Sequence, residues 1–253
     1  MLLKVDHVCL DFDGLKAVND VSLTVQKGSV TALIGPNGAG KTTLFNIIAG
    51  VYAPLSGHIY LEDKDISGLK PFQICNHGIA RTYQVIKLFN GMSVLDNVLV
   101  GMHSRLKSGF WTGIFRTAKT RQEEKAAHEK AFELLRLVGL EEYATFPAGS
   151  LAYGQQRLLE IARALASNPK LLLLDEPAAG MNTTEKAMLN ERIRAITAMG
   201  VTVLIVEHDM AMVMSIADKV YVISSGKNLA EGTGEEITNN PAVVEAYLGK
   251  GDM

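Results

Sequence analysis

The chain has 253 residues, carries 25 Lys+Arg against 27 Asp+Glu for a net charge of −2, and is 47% hydrophobic. That length admits one large domain or two small ones, and the apolar fraction supports a packed core rather than general disorder. The charge balance argues against a broadly basic nucleic-acid binder, and two cysteines (Cys9 and Cys75) are too few for a disulfide framework.

Taken in chain order, Met1 to Gly14 carries charge throughout and lacks a signal peptide's apolar stretch, so a reduced, cytoplasmic setting is expected. No apolar run is long enough to span a bilayer. Leu3, Val5, His7 and Cys9 alternate with their neighbours, as do Val21, Leu23 and Val25, and both segments predict short strands closed by Gly14 and Gly28. Ser29 to Ile34 is a short, mostly apolar run, the mark of a strand covered on both faces. A Gly-rich turn then opens a helix from about Lys41 to Ala49. Pro54, Ser56 and Gly57 break the pattern before a strand over His58–Leu61, and another short apolar strand runs from Gly78 to Tyr83.

Helical spacing governs the middle of the chain. It predicts helices over Ser93–Val100, Arg121–Val138 and Gln156–Ala166, with Ala127, Ala131, Leu134, Leu135 and Val138 on one stripe. Between His103 and Gln122 lie Arg105, Lys107, Arg116, Lys119 and Arg121 with no acid, interleaved with Phe110, Trp111, Ile114 and Phe115. Anionic lipid or a membrane subunit would suit that stretch, as would a solvated loop folding its aromatics back. Strands then alternate with helices: strand Leu171–Leu174, helix Thr183–Met199, strand Val201–Val206, helix Met210–Ala217 and strand Val220–Ile223. A turn at Ser225-Gly226 leads to a last strand and a small helical tail. The pattern implies an α/β fold with right-handed crossovers.

Gly35, Pro36, Asn37, Gly38, Ala39, Gly40, Lys41 and Thr42, with Thr43 behind them, fit G-x-x-x-x-G-K-[ST] between a predicted strand and a helix. Glycines bring backbone N–H groups close to phosphate oxygens, the helix start adds a positive dipole end, Lys41 supplies a mobile ammonium, and the Thr42 hydroxyl suits Mg²⁺. The run Leu171 to Leu174 ends in Asp175 and Glu176, which a parallel strand delivers beside that cradle. Asp175 can hold Mg²⁺ through water, and Glu176 can orient or deprotonate an attacking water. Together these motifs point to hydrolysis of ATP or GTP.

Four further features follow in order: Phe12 before the loop, Gln84 after the strand ending at Tyr83, Leu151-Ala152-Tyr153-Gly154-Gln155 before a helix, and His208 past the strand ending at Val206. Jointly they resemble the ABC ATPase pattern over essentially the whole chain. The resemblance implies a P-loop NTPase core with an antiparallel β subdomain and an inserted helical subdomain, in a single domain over 1–253. The core would span about 1–83 and 169–253, and the insertion about 84–168.

The same resemblance implies roles. Gln84 matches the glutamine that contacts Mg²⁺ and the attacking water, and His208 the switch histidine at the γ-phosphate. Phe12 matches the aromatic under adenine, with Val18 lining the same pocket. Ala152, Tyr153, Gly154 and Gln155 match the signature loop that closes over the ATP of a second subunit. Ala178 to Asn182 match the D-loop, with Asn182 where Asp is more usual. The signature departs from Leu-Ser-Gly-Gly-Gln, since Ala152 lacks a hydroxyl and Tyr153 replaces a glycine.

Leu151 to Arg157, the tail Asn240 to Gly249 and the basic-aromatic insertion are similar to LivG-type subunits of branched-chain amino acid importers. That implies two membrane permeases, a periplasmic binding protein acting indirectly, a second ATPase subunit (a LivF-type homologue or a copy), no nucleic acid, and a place on the inner face of the plasma membrane. A lipid or polysaccharide exporter ATPase and a soluble non-transport module share the nucleotide motifs. Val85, Ile86, Leu88 and Phe89 either meet the membrane partner or pack the helical insertion.

Overall fold

The computed structural model describes residues 1–102 and 118–248. Strands β1 (Leu3–Phe12) and β2 (Leu15–Val25) form an antiparallel hairpin through Asp13-Gly14, both at positive φ. With β4 (Ser56–Leu61) and β5 (Lys64–Asp65) they make a four-stranded antiparallel sheet in the order β2-β1-β4-β5. Ser56 and Gly57, expected as a break, open β4 instead. A Cβ on Gly57 would sit 2.2 Å from the His7 carbonyl oxygen, so glycine there is a condition of the close strand approach.

The second sheet has the order β10-β9-β3-β8-β7-β6. Its strands are β3 (Val30–Ile34), β6 (Ile79–Arg81), β7 (Leu171–Asp175), β8 (Thr202–Val206), β9 (Lys219–Ser224) and β10 (Lys227–Gly232). All pair in parallel except β10, which closes the edge antiparallel to β9. Five of these strands run between two apolar layers. Ala32, Leu172, Leu174, Val203, Ile205, Val220 and Val222 face one core cluster; Leu33, Leu171, Leu173, Leu204, Val206, Tyr221 and Ile223 face the other. Burial on both faces is why these strands read as unbroken apolar runs. The second cluster fills the space between the two sheets, together with Leu44, Phe45 and Ile48 of α1 (Lys41–Ile48).

Between β6 and β7 the chain is helical. Helices α3 (Val94–Gly101), α4 (Ala118–Val138) and α5 (Tyr153–Leu165) pack on one another, and Ala131, Leu134, Leu135 and Val138 of the expected stripe are buried in the same cluster as β3, β7 and β8. Ser93 caps α3 by accepting from the Asp96 N–H at 3.0 Å. Helix α2 (Pro71–His77) was not foreseen, because it buries only Ile74 and so carries no apolar period. The chain closes with α6 (Thr183–Ala198), α7 (Met210–Ile216), α8 (Gly234–Thr238) and α9 (Pro241–Leu248). The basic-aromatic stretch up to residue 117 lies outside the described residues. Among the described residues no helix is long and apolar enough to cross a membrane.

Leu135 is fully buried where the helices meet the sheet, whereas Leu55 is 66% exposed. Leu135→Ala is expected to cost about 2–5 kcal/mol in urea denaturation, and Leu55→Ala less than about 0.5 kcal/mol.

Candidate functional site

Loop 35–40 leaves the carboxyl end of β3 and enters α1 without a side-chain cap or an acidic residue in the first turn. The α1 dipole and its free N–H groups therefore face the loop unopposed. Gly35 and Gly40 are required by space: a Cβ would stand 2.1 Å from the Ile223 carbonyl oxygen and 2.3 Å from that of Ala17. Gly38, at φ 78°, has nothing within 4 Å of a would-be Cβ and lies open to the cleft. Lys41 Nζ donates to the carbonyl oxygens of Gly35 at 2.7 Å and Pro36 at 2.9 Å, so the loop curls around its own ammonium. Burial pushes the Lys41 pKa down, and the charges of Glu176 and Asp175 pull it back up.

Gly38, Gly40 and Lys41 line a cleft of about 580 Å³ with Phe12, Asn37, Thr42, Thr43 and Glu176, while Gly35 and Pro36 lie behind it. Phe12 is 40% exposed and forms a T-shaped pair with Tyr52, ring centroids 5.2 Å apart, and part of its ring stays open to the cleft. Val18 is not on the cleft. It lies fully buried between the sheets, and Leu15, Lys16 and Ala17 form the wall there. Phosphates fit this cradle of amides and ammonium. The donors expected for magnesium are all hard oxygens: the exposed Thr42 hydroxyl, the Gln84 amide, and Asp175 Oδ1, since Arg81 takes only Oδ2.

Asp175 ends β7 almost fully buried, ion-paired to Arg81 Nη2 at 2.7 Å. Arg81 Nη1 also donates to Asn46 Oδ1 of α1 at 2.6 Å, tying β6, β7 and α1 together. Glu176 adopts φ 45°, a left-handed conformation costing a non-glycine residue roughly 1–3 kcal/mol. Its N–H donates to the Val206 carbonyl at 2.9 Å. Its Oε2 accepts from Gln84 Nε2 at 3.1 Å and lies 3.9 Å from His208 Nδ1. Three residues nominated from distant parts of the sequence thus meet at one oxygen.

Gln84 is itself held by a pair not anticipated from the sequence. Arg157 Nη1 donates to the Tyr83 carbonyl at 2.6 Å, and Nη2 to the Gln84 carbonyl at 2.8 Å. Glu160, ion-paired to Arg157 at 2.8 Å, accepts the Tyr83 N–H at 3.3 Å. Both side chains are buried, and burial raises the Glu160 pKa against the pull of Arg157. The available signal was a pair of opposite charges three residues apart on an otherwise apolar helix face. Glu207, another buried carboxylate missed from the sequence, sits where β8 ends.

The signature residues are helix rather than loop beyond the first. Ala152 caps α5, its N–H donating to Gln155 Oε1 at 3.0 Å, and Tyr153, Gly154 and Gln155 form the first turn. None of them lines the cleft of their own chain. The Tyr153 ring lies against Gly180, where a Cβ would approach Cε1 at 3.2 Å, and its hydroxyl accepts weakly from Arg157 Nη2 at 3.4 Å. Asn182 caps α6 reciprocally with Glu185: its Oδ1 accepts the Glu185 N–H at 3.0 Å, and its own N–H donates to Glu185 Oε2 at 2.9 Å.

Residues 18–179 match the family model described as ABC transporter, and residues 227–253 that of the branched-chain amino acid ATP-binding cassette transporter. The chain is 46% identical over 250 residues to the high-affinity branched-chain amino acid transport ATP-binding protein LivG of Salmonella typhimurium, covering 98% of each. It is equally similar, at 46% with 98% of each chain covered, to the protein of that description named BraF in Pseudomonas aeruginosa. A crystal structure of the ADP conformation of an ATP-binding cassette of an ABC transporter superposes with a TM-score of 0.86 at 36% identity, covering 98% of this chain and 99% of that one. A nucleotide-free cassette gives 0.83 at 37% identity with the same coverage. The chain belongs to the ATP-binding cassette family of ABC transporters.

Removing one member of the buried Arg157–Glu160 pair leaves an unpaired interior charge. Arg157→Leu is expected to cost about 3–5 kcal/mol in urea denaturation. Arg157→Met combined with Glu160→Leu should recover most of that stability and still lose nucleotide turnover, because Tyr83 and Gln84 are no longer anchored. Stability and ATPase rate of the two variants, measured together, check both halves.

Proposed function

We propose that this chain hydrolyses ATP to drive import of branched-chain amino acids, held at the inner face of the plasma membrane by two permeases. One observation carries the reading: Gln84 Nε2 and His208 Nδ1 both address Glu176 Oε2, at 3.1 and 3.9 Å, in a chain whose Glu176 and Lys41 line one cleft.

Phe12 offers the open part of its ring to adenine. The amides of loop 35–40 and the Lys41 ammonium take the β- and γ-phosphates, and Lys41 exchanges its two internal carbonyl partners for phosphate oxygens. Glu176 orients the attacking water and accepts its proton, Gln84 fixes the direction of that carboxylate, and His208 reaches the γ-phosphate. Thr42, Gln84 and Asp175 would hold Mg²⁺, and the ion would supply positive charge beside the phosphate oxygens. The helix start at Ala152 to Gln155 does not face its own cleft, so it suits the nucleotide of a second ATPase subunit, a LivF-type homologue or a copy of this chain.

The permease side is supported by a groove of about 500 Å³ between the sheet and the helices, lined by Ile74, Tyr83, Lys87, Phe89 and Val100. Beside it Phe72 is 64% and Val85 71% exposed, while Leu88 packs inward on the helical core. Substrate class follows the names of the LivG and BraF relatives.

The test is reconstitution with both permeases and a periplasmic binding protein in vesicles. ATP-dependent accumulation of leucine, isoleucine or valine is expected, and ATP hydrolysis without any amino acid uptake would reject the transport reading. Glu176→Gln should slow ATP turnover by about 100-fold or more while retaining bound nucleotide. Lys41→Ala should instead lose nucleotide itself, as titration with a fluorescent ATP analogue would register.

A further inference from the structure

Glu207 follows the last residue of β8 and is fully buried. Among the described residues no lysine or arginine pairs with it; His208 Nδ1 lies 3.9 Å from Oε2. An interior carboxylate without an ion pair is tolerated only where hydrogen bonds replace its water. Here they come from the backbone. Oε1 accepts the Ala178 N–H at 2.8 Å and Oε2 accepts the His208 N–H at 3.1 Å; burial pushes the Glu207 pKa up, and these donors pull it back down.

Those partners belong to two different loops, and each loop carries one of the groups that meet over the cleft. The turn Glu176-Pro177-Ala178 contains the left-handed Glu176. Such a conformation persists only when its surroundings over-determine it. The turn is pinned at one end by the Glu176 N–H on the Val206 carbonyl at 2.9 Å and at the other by the Ala178 N–H on Glu207. The second loop begins with His208 and runs into Asp209, which caps α7 and pairs with Lys186 of α6 at 2.5 Å.

We propose that Glu207 is a positioning residue for ATP hydrolysis: one buried carboxylate holds the strained Glu176 turn and the His208 loop to each other, and so sets the separation of His208 Nδ1 and Glu176 Oε2. The inference rests on the reading of Glu176 and His208 as the groups acting on water and γ-phosphate. The chemistry demands a carboxylate in particular. An amide of the same shape has one acceptor, and its NH₂ must face the N–H of either Ala178 or His208.

The experiment compares Glu207→Gln, Glu176→Gln and His208→Ala in the full chain with Mg-ATP. Glu207→Gln is expected to lose about tenfold or more in kcat, the scale of a displaced catalytic group, with KM and ADP affinity within about twofold of wild type and a Tm that stays above the assay temperature. Glu207→Asp keeps both acceptors on a shorter stem and should lose about threefold, which carries the test if the Gln variant does not fold. Wild-type kcat in a folded, ADP-binding Glu207 variant overturns the proposal, as does a loss confined to KM or Tm. If Glu176→Gln and His208→Ala also turn over normally, the catalytic reading falls first and takes this one with it; if they are impaired and the Glu207 variants are not, this inference alone fails.

Discussion

The site depends on the register of three parallel strands. Leu33 of β3 pairs with Val206 of β8, and Val206 pairs with Asp175 of β7. Past that common row the chain delivers, side by side, the start of the phosphate loop, Glu207 with His208, and Glu176. Side chains in a strand alternate faces, so a slip of one residue in either ladder would turn Asp175 or Glu207 to the opposite layer. Two dry apolar layers hold the ladder against such a slip, since every strand residue in the row has a buried neighbour above or below. The core of this protein is in that sense a jig for three loop starts.

Charge inside such a jig must be partnered, and three buried carboxylates are partnered in two ways. Asp175 is neutralised by Arg81, whose second amino group reaches into α1. Glu160 is neutralised by Arg157, which spends its remaining donors on the backbone of Tyr83 and Gln84. Glu207 has only backbone N–H groups. Each solution joins segments that the sequence separates: β6 to α1, α5 to the turn after β6, β7 to β8. Replacing either ion pair whole with apolar residues of similar volume preserves stability in many proteins. What would be lost is the directional hold on backbone that carries reacting groups.

The central strands, the phosphate loop and the Asp175-Glu176 pair were legible because each is local: an apolar run covered on both faces, glycines at fixed spacing, acids at a strand end. Gln84 and His208 were nominated by resemblance, and the geometry brings them to one Glu176 oxygen. Val18 was misplaced because a strand residue's face cannot be read without its register; Leu10 opposite it, also buried, turns it into the core. Arg81, Arg157, Glu160 and Glu207 were passed over because a charged residue in an apolar segment has no visible partner until the fold supplies one. Glu207 nonetheless repeats the pattern of Asp175, an acid closing an apolar strand.

The altered signature gains a physical reading from its neighbours. Where a serine hydroxyl would accept a first-turn N–H of α5, Ala152 has no acceptor; only the return bond remains, from the Ala152 N–H to Gln155 Oε1, and the first-turn N–H groups have no side-chain cap. Tyr153 in place of glycine needs room, and Gly180 provides it, because a Cβ there would crowd the tyrosine ring. Gly154 faces the same neighbour: a Cβ there would stand 2.9 Å from Glu185 Oε1 and displace the side chain that completes the Asn182 cap. The unusual Asn182 and the unusual Tyr153 are therefore two parts of one contact between the starts of α5 and α6. Tyr153 also touches Arg157, which anchors the Gln84 carbonyl, so hydrogen bonds run from the α5 start through Arg157 and Gln84 to Glu176.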